Sequence, residues 1–227
     1  MIARERLCLP EYPGAAEYRA AGGRLCHASE FHELEDARGK DILVVGYGKS
    51  SCDVAGALCD VAASTTVVAR ELIWKMPKKL GNVLNYKYLL LTRLGEGLFR
   101  YIKPKGFERF LHGPGRPVRN GMLSSVQSLI TRQLRLRELG LLPEGSLERI
   151  ARSTVSLVTE GFFEKVRDGV IDVRRDIVIT RLLVHDARPA AVLADGTVLP
   201  ADAVGVRHRV PSAGAVPQRR ATRPDHR

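Results

Sequence analysis

A strand, a glycine turn, a helix and a second strand follow one another early in the chain, and this unit constrains the fold most. Residues 42–45 form an unbroken, mostly β-branched apolar run, typical of a strand buried on both faces of a parallel sheet. Apolar residues then recur with helical spacing over 54–62, and residues 65–69 again have strand composition. The order predicts a βαβ unit with a right-handed crossover.

The turn carries the pattern Gly46-x-Gly48-x-x-Ser51. Gly46 permits a tight turn out of the strand, Gly48 lets the backbone approach a pyrophosphate, and Ser51 is small enough for helix–strand packing. The unpaired N–H groups of the following helix suit phosphates. We therefore predict a dinucleotide site that includes Lys49 and Ser50. A glycine turn that serves packing alone is the alternative.

The residue after the second strand distinguishes between dinucleotides. An NAD site usually has Asp or Glu there, to accept hydrogen bonds from the ribose 2′-hydroxyl. This chain has Arg70, followed by Lys75, Lys78 and Lys79. A guanidinium group suits the dianionic 2′-phosphate of NADPH, so the pattern favours NADPH over NAD. A solvated surface arginine is the alternative.

The rest of the sequence indicates an α/β fold. We expect a linker of turns and short extended pieces at 1–40 and a Rossmann-like domain with a parallel sheet at 41–205. That domain should contain a mainly helical insertion at about 72–152 and a β-rich return segment. Helices are predicted at 84–102, 122–139 and 161–166, and strands at 170–173, 177–179, 182–184, 191–193 and 198–204. Asp195-Gly196 predicts a hairpin turn between the last two strands.

Charge and cysteine content argue against several classes of protein. The 227 residues carry a net charge of +11, but the basic residues are scattered without a nucleic-acid-binding motif, so no nucleic-acid partner is expected. Residues 206–227 contribute +5 of it and are predicted to be a disordered basic tail. No apolar run is long enough to span a membrane. No metal site is expected because the cysteines, Cys8, Cys26, Cys52 and Cys59, have no zinc-type spacing, and the chain is expected to be cytoplasmic.

The chain resembles the flavin-containing monooxygenases, in the bacterial branch related to the Baeyer–Villiger monooxygenases. Residues 9–14 look like the linker that leaves the FAD domain. Gly23, His27 and Phe31 match the identifying motif F-x-G-x-x-x-H-x-x-x-F/Y, although its leading aromatic falls on Ala21. These three residues would lie in the linker between the two dinucleotide domains, and a structural role for His27 is the alternative to an acid–base role.

Further along, residues 40–53 look like the family's second, NADPH-binding fingerprint, and Arg70 matches its 2′-phosphate arginine. Asp195-Gly196 and residues 201–204 are similar to the family's return into the FAD domain. The sequence also departs from the family. No FAD-binding G-x-G-x-x-G precedes residue 9, and the Ala-Thr-Gly segment expected after residue 204 is absent. The hypothesis is a truncated member whose FAD domain is largely missing.

The resemblance implies an NADPH- and FAD-dependent oxidoreductase, akin to N,N-dimethylaniline monooxygenase. NADPH would deliver hydride to FAD, whose C4a-(hydro)peroxide would oxygenate an amine, a sulfide or a ketone. The residues implied in NADPH binding are Gly46, Gly48, Lys49, Ser50, Ser51 and Arg70, and no catalytic residue is assigned. A catalytically silent NADPH-binding fragment of a disrupted gene is the main alternative. A basic module that binds nucleic acid, or a membrane surface through helices in 84–139, is another.

Overall fold

The computed structural model describes residues 9–31, 34–90, 92, 95, 98–99, 106–148 and 156–206. Its centre is a five-stranded sheet, ordered β1-β12-β2-β3-β8, in which every neighbouring pair is parallel. These strands are β1 (Arg24–His27), β2 (Asp41–Val45), β3 (Ser64–Ala69), β8 (Asp172–Arg175) and β12 (Ala203–Val206). The predicted α/β class with a parallel sheet is confirmed.

Both faces of β2 are covered, as its continuous apolar run predicts. Ile42 and Val44 pack on one face with the helix α2 (Lys49–Leu58), while Leu43 packs on the other with the helix α1 (Ala15–Ala20). All three side chains are at most 1% exposed. The sheet is therefore the middle layer of the fold, and β2 points its carboxyl end at the glycine turn.

A second sheet is antiparallel and has the order β11-β10-β9. Its strands are β9 (Ile179–His185), β10 (Arg188–Leu193) and β11 (Val198–Pro200). The predicted Asp195-Gly196 hairpin joins β10 to β11, with Gly196 at a φ of +87°. The prediction of separate strands at 177–179 and 182–184 is wrong, because β9 includes all of 182–184 and begins at Ile179, the last residue of the first range. The strand predicted at 198–204 is two strands, since at Ala201–Asp202 the chain crosses from the antiparallel to the parallel sheet.

The insertion contains short helices and short strands. Its helices are α3 (Tyr86–Leu90), α4 (Phe107–His112) and α5 (Arg116–Gln133), and α6 (Phe162–Arg167) follows near the predicted 161–166. Helix α5 begins six residues before the predicted 122, with Pro117 in its first turn, where a missing N–H costs nothing. Much of the helix predicted at 84–102 lies outside the described residues.

Four two-residue strands also lie in or beside this insertion. They are β4 (Lys75–Met76), β5 (Lys79–Leu80), β6 (Leu84–Asn85) and β7 (Ser156–Leu157). β4 pairs with β7 in parallel, and β5 pairs with β6 in an antiparallel ladder. These strands were not predicted, because two residues show no alternation.

The amino-terminal segment contains one helix that the sequence reading missed. Residues 1–40 were expected to form turns and short extended pieces, but α1 is helical and buries Tyr18 completely. The Tyr18 hydroxyl donates a hydrogen bond to the Ala201 carbonyl, at 2.7 Å. A six-residue helix is too short to show a period, and its stability comes from this packing. No helix among the described residues is long and apolar enough to cross a membrane.

Candidate dinucleotide site

The turn between β2 and α2 has the backbone that its glycines predict. Gly46 has a φ of +112°, a conformation that residues with a side chain rarely adopt. Its N–H donates to the Val68 carbonyl at 2.8 Å, which fixes the turn to the neighbouring strand β3. A Cβ atom at Gly46 would lie 3.1 Å from Ser51 Oγ, so this glycine also allows close helix–strand packing.

Helix α2 begins directly at the turn and presents free donors there. Gly48 is its N-cap residue, and no side chain caps the end. The first hydrogen bond at this end runs from the Cys52 N–H to the Gly48 carbonyl, at 3.1 Å. The N–H groups of residues 49–51 precede it and have no partner within the helix. Together with the helix dipole, they form a surface for an anionic group such as a pyrophosphate.

The side chains of the turn divide into packed and exposed ones. Ser51 is 1% exposed and lies beneath Gly46, which agrees with a packing role for the small third residue of the fingerprint. Ser50 is half-buried. The Lys49 ammonium group is partly exposed and pairs with the Asp53 carboxylate one turn along α2. Thr159 Oγ1 also donates to Asp53, at 2.6 Å, and so ties α2 to the segment before α6.

Arg70 lies at the same edge of the sheet as the turn. It directly follows β3, and the β2–β3 register pairs Val45 with Val68, so the two strands end side by side. Neighbouring strands are about 5 Å apart, which brings the backbone at Arg70 close to the turn. Arg70 is exposed and forms no ion pair or side-chain hydrogen bond with another described residue. Its guanidinium group is available to an incoming phosphate.

The basic residues that follow Arg70 do not form one surface patch. Lys75 is 2% exposed, whereas Lys79 is exposed in β5 and Lys78 pairs with Glu160 at 3.1 Å. Trp74 is buried and donates from Nε1 to the Gly145 carbonyl at 3.1 Å. Burial does not alternate along this segment: residues 74–77 are all buried, and residues 78 and 79 are both exposed. The burial of Lys75 was missed, because an isolated lysine gives no such signal in sequence.

Comparisons with known proteins agree with this geometry. The family model described as "Flavin-binding monooxygenase-like" matches residues 2–113. Human flavin-containing monooxygenase 3 is 32% identical over 84 residues, which cover 37% of this chain and 15% of that protein. Rabbit dimethylaniline monooxygenase [N-oxide-forming] 4 is 29% identical over 107 residues, which cover 47% and 19%. The chain is thus similar to the flavin-containing monooxygenases over its first half.

Solved structures of cyclohexanone monooxygenase share the fold. A cyclohexanone-bound form superposes with a TM-score of 0.56 at 14% identity, covering 91% of this chain and 46% of that one. The enzyme from Rhodococcus sp. Phi1 bound to NADP+ gives 0.55 at 14% identity, covering 88% and 43%. The chain thus spans less than half the length of these structures and a smaller share of the curated monooxygenases. Members of the flavin-containing monooxygenase family use FAD and NADPH.

The three residues that match the monooxygenase identifying motif lie before, at the end of and after β1, the first strand of the parallel sheet. Gly23 precedes β1, and a Cβ atom there would lie 2.5 Å from the buried ring of Tyr18. His27 is the last residue of β1 and pairs with Val206 of β12. The backbone N–H of His27 donates a hydrogen bond to Glu30 Oε1, at 3.2 Å. The Phe31 ring packs on Gly205, where a Cβ atom would approach it to 2.8 Å. The motif thus packs β1 against β12.

The cysteines and metal-binding side chains add no second site. Cys26, Cys52 and Cys59 are buried free thiols, as small apolar groups would be, and Cys8 lies outside the described residues. Burial raises the pKa of the Cys52 thiol, which keeps it neutral. Within the described ranges, no group of three His, Cys, Asp or Glu side chains could bind a metal ion.

Proposed function

We propose that this chain binds NADPH, with the pyrophosphate at the Gly46–Ser51 turn and the 2′-phosphate at Arg70. The observation that carries the proposal is the uncapped end of α2 beside an exposed arginine without a partner among the described residues. Backbone N–H groups and a guanidinium group are the donors that phosphates prefer. NADP+ in the Rhodococcus neighbour is consistent with the assignment.

Isothermal titration of the chain with NADPH tests this proposal. Saturable one-to-one binding is expected, and inorganic pyrophosphate should compete with it, because both would use the donors at the start of α2. Absence of binding in the folded protein would refute it. Gly46→Val supplies the control, since its positive φ and the nearby Ser51 leave no room for a branched side chain and binding should be lost.

We also propose that the bound NADPH serves a flavin-dependent monooxygenase reaction on a small amine, sulfide or ketone. NADPH supplies a hydride, which a flavin accepts before oxygen is activated. In this account the chain's own residues only bind and orient: α2 and the turn fix the pyrophosphate, and Arg70 fixes the adenosine end. His27 and Phe31 would align the strand that leads towards the flavin-binding part.

NADPH oxidation with and without added FAD, in the presence of an amine or a sulfide, tests this second proposal. Flavin absorbance of the purified protein is measured alongside. Oxidation that needs added FAD and forms an N- or S-oxide supports the proposal. Tight NADPH binding with no turnover at any FAD concentration would instead support the catalytically silent NADPH-binding fragment.

A further inference from the structure

A lysine is buried directly behind the glycine turn. Lys75, in β4, is 2% exposed, and its ammonium nitrogen lies 4.5 Å from the centroid of the Tyr47 ring. The ammonium group also lies 3.4 Å from Ser156 Oγ of β7 and forms a hydrogen bond with the Cys52 thiol of α2. Tyr47 is the residue between the two glycines of the turn and is itself 5% exposed. The ammonium group thus approaches the turn from the interior of the protein.

The charge of Lys75 lacks a carboxylate partner among the described residues. The charged and titratable groups that face it are Tyr47 of the turn and Lys49, Cys52 and Asp53 of α2, while β7 offers only the Ser156 hydroxyl. Asp53 is already shared by Lys49 and Thr159. Burial lowers the pKa of Lys75, because removal from water disfavours the ammonium form.

A buried, unpaired cation destabilises the free protein, and an anion bound close by would offset that cost. Two neighbours of the ammonium group belong to the surface that suits an anion, since Tyr47 lies in the glycine turn and Cys52 in the first turn of α2. A charge acts over several ångströms in a protein interior, so Lys75 need not touch the phosphates. Its effect would pass through the Tyr47 ring and the start of α2.

We propose that Lys75 is a positioning residue for the dinucleotide, whose buried ammonium group strengthens phosphate binding from behind the Gly46–Gly48 turn. The inference rests on the proposed binding of NADPH at this turn. Bound phosphates favour the charged form of Lys75, so binding takes up a proton wherever the free protein has lost it. NADPH affinity should therefore fall as the pH rises through the titration of Lys75 in the free protein.

Lys75→Met tests this inference, because methionine fills the space of the lysine stem without its charge. Lys40→Met is the matched control: Lys40 precedes β2 and so lies at the opposite edge of the sheet from the turn. NADPH affinity is titrated from about pH 7.5 to about pH 10. Burial raises the pKa of Tyr47 and of Cys52 and so favours their neutral forms. Unfolding of the free proteins is followed over the same range.

In wild type and Lys40→Met, the NADPH affinity should decline as the pH rises. Lys75→Met should bind NADPH on the order of tenfold more weakly at the lowest pH, and its NADPH affinity should not change with pH. Relative to Lys75→Met, free wild type should gain stability with rising pH, since the Lys75 side chain binds more protons in the unfolded form than in the folded one. Equal affinity and equal pH profiles in wild type and Lys75→Met would overturn the role of Lys75 and leave NADPH binding intact. If Lys75→Met does not fold, a pH-independent affinity of wild type would overturn it. No NADPH binding by folded wild type would refute the proposed function itself.

Discussion

At the level of single residues, Gly23 leaves room for the ring of Tyr18. That ring is fully buried and is fixed by the hydrogen bond to Ala201, so it cannot move aside for a Cβ atom 2.5 Å away. Gly23→Ala should lower the free energy of unfolding by about 1–3 kcal/mol, as overpacking does elsewhere. Urea denaturation measures this change.

Gly121→Ala is the control for that substitution. Gly121 lies in α5, and a Cβ atom there would meet nothing within 4 Å. Alanine at this helical position should raise stability by up to about 1 kcal/mol. Equal effects of the two substitutions would contradict the packing role assigned to Gly23.

The sequence predicts the conformation at Gly46 but not the environment of Lys75. A glycine after a buried strand signals a left-handed turn, and the structure has a φ of +112° there. The side chain of Lys75 is placed by the distant strand β7, more than 80 residues further along the chain. Pairing over such a separation leaves no local pattern.

At the level of elements, Asp53 links α2 to the segment before α6. Burial acts to raise the pKa of Asp53, but the hydrogen bonds from Lys49 and Thr159 outweigh it, and the pKa is lowered. The resulting stability is present above the unfolded-state pKa of about 3.9 and is lost as the pH falls through the lower folded-state value.

Asp53→Asn should therefore destabilise the protein at neutral pH and weaken the loss of stability below about pH 4. The carboxylate is 44% exposed, so the expected loss is below about 1 kcal/mol. Thermal unfolding between about pH 2.5 and about pH 7 measures it. Asp168→Asn, which removes an exposed carboxylate paired with the adjacent Arg167, should leave this acid dependence unchanged; a matching change would contradict the role of Asp53.

Strands were easier to predict than helices in this chain. Buried strands such as β2 and β3 have continuous apolar runs, and the Asp195-Gly196 turn marks one hairpin directly. The helix α1 and the boundary between β11 and β12 depend on which surface covers them. Those contacts are tertiary, so no local pattern specifies them.

At the level of the whole molecule, β12 is the strand that joins the amino-terminal segment to the strands that flank the glycine turn. It lies between β1 and β2 in the parallel sheet, and its last residue, Val206, pairs with both. This strand extends one residue into the 206–227 segment predicted as a tail. Residues 207–227 lie outside the described residues, so their disorder stays a prediction.

A chain that stops after Val206 should keep the cooperative unfolding of the full chain, because residues 207–227 contain no Leu, Ile or aromatic residue for a core. A chain that stops after Pro200 should fail to unfold cooperatively, since it lacks a central strand. Circular dichroism during thermal unfolding distinguishes the two. Loss of cooperativity in the longer truncate would contradict this division of the chain.

The net charge of +11 also divides between these parts. Residues 206–227 carry +5 and the rest of the chain +6, which includes the exposed guanidinium of Arg70 at the turn. We propose that this guanidinium binds the 2′-phosphate of NADPH, the group that NADH lacks.

The affinities of wild type and Arg70→Ala for NADPH and NADH test this role of Arg70. Wild type should prefer NADPH, and Arg70→Ala should lose about 10- to 100-fold in NADPH affinity with little change for NADH, because a charge-assisted hydrogen bond contributes about 1.5–3 kcal/mol. Arg38→Ala, at the opposite edge of the sheet, should leave both affinities unchanged. An equal loss of NADPH and NADH binding in Arg70→Ala would contradict the account.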